Sequence, residues 1–353
     1  MTRLHKRAAV HLWEEPLFED RDAPMLRRSI DASGVRVLTP LLPHGLDDAS
    51  VTEAQRELLN QYIEQEKLQD FVTWYYTPMA LKFSDHLKPM LTVFDCMDEL
   101  SAFAGAPPEL LELERRLFAR ANVVFTGGAS LFASKRTQHG NVHLFASSID
   151  HEHFAAARGR LTEPPDQAAI PHPRIGFYGV LDERLDRELL REIAERRREW
   201  HFVLVGPVVK IREDELPRGS NIHYLGQKKY SELPSYLANW DVAMLPFAQN
   251  ASTKFISPTK TPEYLAAAKP VVSTPIRDVV IPYGEMGLVR IGTDAAEFEA
   301  AIEASLSIVD NKWLEKTDEF LAGTSWDKTF EGMWKEIQRC MPQEAVSSAP
   351  TIH

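Results

Sequence analysis

Residues 257–275, SPTKTPEYLAAAKPVVSTP, decide how the chain is read. They follow a short apolar run, 242–247, with the length and composition of a buried strand. Ser257 or Thr261 is placed to cap a helix, each with proline next, where a missing N–H costs nothing. A second apolar run, 270–274, closes the segment. Strand, loop, helix and strand make one βαβ unit, which aims the helix N-terminus at the carboxyl edge of a parallel sheet. Backbone N–H groups and the helix dipole favour an anion there. Lys260 adds a full positive charge, and Glu263, three residues on, shares its face. A cation for a phosphate beside a carboxylate for paired hydroxyls suits the diphosphate and ribose of a nucleotide. On an arbitrary helix the same two residues are more often a solvated surface pair.

Outward from this unit, short apolar runs alternate with helical stretches, the pattern of α/β architecture with parallel sheets wrapped by helices. Strands are expected at 8–13, 35–38, 71–75, 91–94, 122–125 and 142–145, then at 174–178, 201–205, 222–225, 242–245 and 271–273. Helices are expected at 50–67, 109–121 and 187–198. At 326–340, Trp326, Phe330, Met333, Trp334 and Ile337 form a broad apolar stripe. The proline-rich run EPPDQAAIPHPR, 163–174, reads as a linker between domains 1–162 and 175–312. Residues 342–353 read as a disordered tail.

A chain of 353 residues is long enough for two cores at roughly 150 residues each. A net charge of -11 leaves no basic excess to displace counterions, which argues against a nucleic-acid partner. The two cysteines, Cys96 and Cys340, have no metal or redox spacing and fit a reducing cytoplasm. No apolar run nears the ~20 residues of a membrane span. The expected place is therefore the cytoplasm, with peripheral contact at the inner face of a membrane left open.

The opening stretch resembles the nucleotide-binding segment of the two-Rossmann (GT-B) glycosyltransferases, in which a Pro-x-Lys-x-x-Glu-Tyr-like run precedes a Pro-Val-Val strand. Further matches are Gly176-Phe177-Tyr178-Gly179, Val205-Gly206-Pro207 and Asn221 to Gly226. In the first half, Trp74 to Pro78, Asp95-Cys96-Met97-Asp98-Glu99 and Ser147 to Asp150 look like a bacterial group 1-like subgroup. No one tetrapeptide is specific; their order over about 300 residues is. The resemblance implies two Rossmann-like domains facing across a cleft, with helices at 313–341 returning to the first domain. It makes Ser257, Pro258, Thr259 and Lys260 diphosphate contacts and Glu263 the ribose contact. Two departures stand out: Phe255 where many relatives carry a glutamate, and Ala268 where glycine is usual. A left-handed turn at Ala268 costs roughly 1 kcal/mol.

The resemblance also implies that the N-terminal domain is incomplete. Its usual first strand and helix precede the strand that 8–13 matches, and that strand is central in the common order. Either the start of the sequence is incomplete, which we favour, or strands that do not usually meet close the sheet.

Other candidates carry competing structural readings. Gly179 allows close approach to a diphosphate and Arg184 offers a fork for its oxygens, against a simple turn with a solvated arginine. Asp98, at a strand's carboxyl end, is the candidate base for an acceptor hydroxyl, against a helix cap. The spacing of Asp95, Asp98 and Glu99 is not that of a manganese-binding Asp-x-Asp, and His151-Glu152-His153 reads as surface histidines, so no metal is expected. Arg196-Arg197-Arg198 reads as a solvated helix face rather than a lipid contact. The function implied is transfer of a sugar from a nucleotide-sugar, UDP-linked by expectation, to a hydroxyl of a carbohydrate or lipid-linked acceptor in polysaccharide or glycolipid synthesis. The donor is substrate, and no cofactor is required. The alternatives are a non-catalytic nucleotide-sugar-binding or scaffold subunit and a nucleotide-sugar epimerase of the same fold.

Overall fold

A computed structural model describes residues 1–307, 310–342 and 351–352. Its strands are β1 (His11–Trp13), β2 (Leu17–Glu19), β3 (Met25–Ile30), β4 (Arg36–Pro43), β5 (Phe71–Tyr75), β6 (Leu91–Cys96), β7 (Val123–Thr126) and β8 (Val142–Leu144). There follow β9 (Arg174–Tyr178), β10 (His201–Val205), β11 (Ile222–Tyr224), β12 (Val242–Leu245), β13 (Val271–Ser273), β14 (Val289–Ile291) and β15 (Thr351–Ile352). They fall into three sheets, and the molecule is mixed α/β.

The second half carries one all-parallel sheet in the order β11-β10-β9-β12-β13-β14. Every residue of β9, β12 and β13 is buried, as expected of strands covered by helices on both faces. From β9 the chain steps first to β10 on one side and later to β12 on the other. Beside β9 the strand order reverses, the place where such sheets open a crevice at their carboxyl ends.

In the first half, β5 to β8 form a parallel sheet with β15 on its β5 edge. A separate sheet is built around β4, parallel to β1 and β2 and antiparallel to β3. Neither β2 nor β3 was expected, because their residues are almost all exposed and no apolar alternation betrays them. β14 was also missed. Among the described residues the two first-half sheets are not hydrogen-bonded to each other. Between them lies a mostly apolar cavity of about 190 Å³, lined by Trp13, Leu38, Tyr62, Phe71, Trp74 and Phe83 among others.

The helix Trp326–Cys340 packs Trp334 and Ile337 onto Val72, Val93, Val123 and Phe125 of the first half. The helix Asn311–Ala322 does not make that crossing. Its Leu321 belongs to the second-half core, and Trp313 donates to the Leu288 carbonyl at 3.1 Å. The return to the first half therefore begins later than residue 313. The run 163–174 is no free tether: Gln167 is fully buried and accepts from Trp240 Nε1 at 2.9 Å. Of the tail expected to be disordered, only 342 and 351–352 fall within the described residues. There Thr351 and Ile352 pair in parallel with Phe71 and Val72.

Candidate active site

The segment that opens the sequence argument forms the helix Lys260–Ala266. Neither Ser257 nor Thr261 caps it. Thr259 holds the N-cap position in a helical conformation with no side-chain bond, and the chain is already coiled there because the Thr261 N–H donates to the Pro258 carbonyl at 3.1 Å. Thr261 is buried, and its hydroxyl makes no hydrogen bond. Ser257 lies at the boundary between the halves, where a Cβ placed on Gly128 would come within 2.7 Å of its own Cβ. At the other end of the helix Ala268 takes φ +56°, the left-handed turn that the missing glycine made costly.

Lys260 is half-buried at the carboxyl edge of the second sheet, and its side chain lies across Gly179. A Cβ at Gly179 would come within 2.4 Å of Lys260 Cε and 3.1 Å of Nζ. Gly179 has φ +148°, and so has Gly206, whose own Cβ would strike the Gly179 carbonyl oxygen at 1.8 Å. The loops after β9 and β10 thus stack too closely for any side chain, leaving a bare backbone surface beneath the ammonium. Among the described residues, Lys260 makes no hydrogen bond and no ion pair. Burial lowers its pKa, while the charges of Glu263, Asp182 and Asp98 oppose the shift and Arg184 adds to it. Even half-buried, a cation without a partner is costly until an anion arrives.

Arg184 reaches the same place from the loop after β9. It forks onto Asp182, which is 3% exposed, with Nε 3.0 Å from each carboxylate oxygen and Nη2 2.6 Å from Oδ2. Glu263, half-buried, accepts from the Tyr178 hydroxyl at 2.5 Å. Its carboxyl is pushed up by burial and pulled down by that hydrogen bond and by Lys260. Tyr178 itself is held where β9 ends, its backbone N–H donating to the Tyr264 hydroxyl at 3.0 Å.

Asp98 comes from the first half, just past β6. It caps no helix: the short turn that follows has Glu99 at its N-cap position and no side-chain cap. Burial pushes its carboxyl above the usual range, and Arg184 and then Lys260 pull it down. The structure therefore brings Asp98, Gly179, Arg184, Lys260 and Glu263 to one crevice between the two halves. Pro258 and Thr259 line the approach to the helix, while Ser257 is displaced to the boundary with Gly128.

Three contributors escaped the sequence reading. Tyr178 meets Glu263 across 85 positions of sequence, which no local pattern reveals. Asp182 was visible two residues before Arg184, yet nothing marked it as the arginine's anchor. Tyr230, 51% exposed, stacks on His153 with ring centroids 4.3 Å apart and 12° between planes, and burial followed by the charge of Glu263 pushes its hydroxyl pKa up to about 12. Two arginines of the basic run 196–198 are engaged in surface pairs. Arg196 pairs with Glu192 and Glu299, and Arg197 with Glu199, Glu299 and Glu303. Lys228 pairs with Asp166 at 2.6 Å. Among the described residues no helix is long and apolar enough to cross a membrane.

The fold is that of a known set of solved structures. Sucrose-phosphate synthase from Thermosynechococcus elongatus superposes with a TM-score of 0.72 at 15% identity, over 96% of this chain and 90% of that one. An alpha,alpha-trehalose-phosphate synthase (UDP-forming) from Burkholderia xenovorans, in complex with glucose-6-phosphate, gives 0.66 at 12%, over 94% and 93%. Anabaena HepE, in complex with UDP and glucose, gives 0.63 at 14%, over 87% of each. In sequence, a putative teichuronic acid biosynthesis glycosyltransferase of Bacillus subtilis (strain 168), TuaH, is 26% identical over 220 residues, 57% of this chain. The match spans about half of that relative, 54% of its length. Residues 172–307 match the family described as "Glycosyl transferases group 1". The chain therefore has the GT-B fold, and the part of it that matches the group 1 glycosyl transferases, residues 172–307, is the half that carries Gly179, Arg184, Lys260 and Glu263.

Proposed function

We propose that this chain is a glycosyltransferase of polysaccharide-type biosynthesis, moving a sugar from a UDP-linked donor to an acceptor hydroxyl. The observation that carries the reading is the unpaired Lys260 ammonium laid over Gly179 in a crevice shared with Asp98 and Arg184. The diphosphate leaves with negative charge, and Lys260 and Arg184 supply the compensating donors in a site already desolvated. A seven-residue helix has a weak dipole of its own, so the full charges carry most of this burden. Glu263, oriented by Tyr178, takes the ribose hydroxyls, and the exposed face of Tyr230 is placed for the nucleobase. Asp98 serves as the base for the acceptor hydroxyl, its raised pKa making it a stronger one. No residue of this chain is assigned to a cofactor or a metal. The group 1 match, the teichuronic acid relative and the UDP complex of HepE support the donor class and the pathway class.

Calorimetric titration of UDP into the wild type and Lys260→Ala tests the reading, followed by a UDP-sugar hydrolysis assay. Wild-type binding is expected, with turnover in the variant down by about one to two orders of magnitude, the scale of a lost transition-state donor. Full activity in Lys260→Ala removes its role. A wild type that binds UDP yet turns over no donor favours the scaffold alternative.

A further inference from the structure

Resting on that reading, we propose that Phe103, on the acceptor-side loop, is a positioning residue for the diphosphate: it fixes the Arg184 guanidinium and so completes the donor grip only when the two halves meet. The loop begins at Asp98 in the crevice and is tied to its own half at once, since Lys135 Nζ donates to Glu99 Oε1 at 2.8 Å. It then crosses to the second half. The Phe103 ring sits between two cations there, 5.4 Å from Arg184 Cζ and 4.9 Å from Lys210 Nζ. One residue later the Ala104 N–H donates to Glu183 Oε1 at 3.2 Å, and Lys210 Nζ lies 3.7 Å from the same oxygen.

These contacts restrain Arg184 in two different directions. Asp182 holds one edge of the guanidinium through Nε and Nη2, and the aromatic ring covers it from the other half of the molecule. An arginine gripped by its edge alone can still pivot about that edge. With a ring over it the plane is set, and Nη1, which makes no hydrogen bond among the described residues, is held ready for a diphosphate oxygen. The ring also keeps water off the cation, which strengthens its pull on a bound anion. The loop bearing the proposed base and the arginine gripping the leaving group are thereby coupled through one side chain.

Calorimetry with two probes, UDP and uridine, tests this on Phe103→Leu, which keeps an apolar side chain and removes the π face, and on Phe103→Trp, which keeps the face. Phe103→Leu is expected to bind UDP about three- to thirty-fold more weakly, the span of one cation–π contact, with uridine affinity and the thermal midpoint unchanged. Phe103→Trp is expected to restore UDP binding. Wild-type UDP affinity in Phe103→Leu, or an equal loss for UDP and uridine, overturns the role assigned to Phe103 and leaves the transferase reading standing. A wild type that does not bind UDP at all sinks the transferase reading and this proposal with it.

Discussion

At the scale of single residues, burial without a partner is the recurring signal. Lys269 is the instructive contrast to Lys260: its ammonium donates to the carbonyls of Ala238 and Trp240 at 2.9 Å each, a structural use that satisfies it. Lys260 has no such recipients, so the same residue type a few positions away takes a different meaning. Asp95 poses a second case. It is 4% exposed, accepts from Trp74 Nε1 at 3.2 Å, and leaves Oδ1 without a hydrogen bond, and burial pushes its pKa from 3.8 up to about 7. Between those values the folded chain keeps a proton that the unfolded chain has released. Stability therefore falls as pH rises through that window, at about 1.4 kcal/mol per unit. Asp95→Asn cannot titrate. Its stability relative to wild type should grow by on the order of 4 kcal/mol from pH 4 to pH 8 in urea unfolding. A difference that is flat with pH would show that Asp95 is charged in the fold. Sequence alone could place Asp95 at a strand end, but not know that, among the described residues, Trp74 would be its donor.

At the scale of elements, regular structure was legible where apolar residues keep a period and illegible where they do not. The helix Trp326–Cys340 lies where its stripe placed it, and β9, β10, β12 and β13 match their runs. The β3–β4 pairing was hidden because five of the six β3 residues face water and Leu26 alone turns toward the core beside Leu42 and Leu58, which leaves no apolar alternation to read. Its turn is held by Asp31, whose Oδ1 accepts from the Ser33 and Val35 N–H groups at 2.8 and 3.0 Å, a local bond that leaves no apolar trace. The helix Ala129–Lys135 was likewise unforeseen, being short and without a stripe. It is fixed by Lys135, 2% exposed, whose ammonium lies 2.9 Å from both Glu114 oxygens and 2.8 Å from Glu99. Lys135→Met strands two carboxylates in the interior and should cost about 3–5 kcal/mol in chemical denaturation. A loss under 1 kcal/mol would mean that water already reaches the triad.

For the molecule as a whole, the two halves meet through polar contacts that no single segment announces. The Ser130 N–H donates to Asp278 at 3.0 and 3.3 Å, so a carboxylate from the second half caps a helix of the first. Gly128 beside it has no space for a side chain, since a Cβ would lie 2.3 Å from Asp278 Oδ2. In the sequence Gly127-Gly128 is only a glycine pair after an apolar run, and nothing local announces the carboxylate that presses against it. A different asymmetry follows from the hollow between β4 and β5. Liquid that enters an apolar void when the chain opens makes the unfolded form the denser one, and compression favours the denser form. Squeezing this protein should thus loosen it from one side: under rising hydrostatic pressure, amide NMR signals of β4 and β5 should fade before those of β9 and β12. Simultaneous loss would mean that the hollow is already filled.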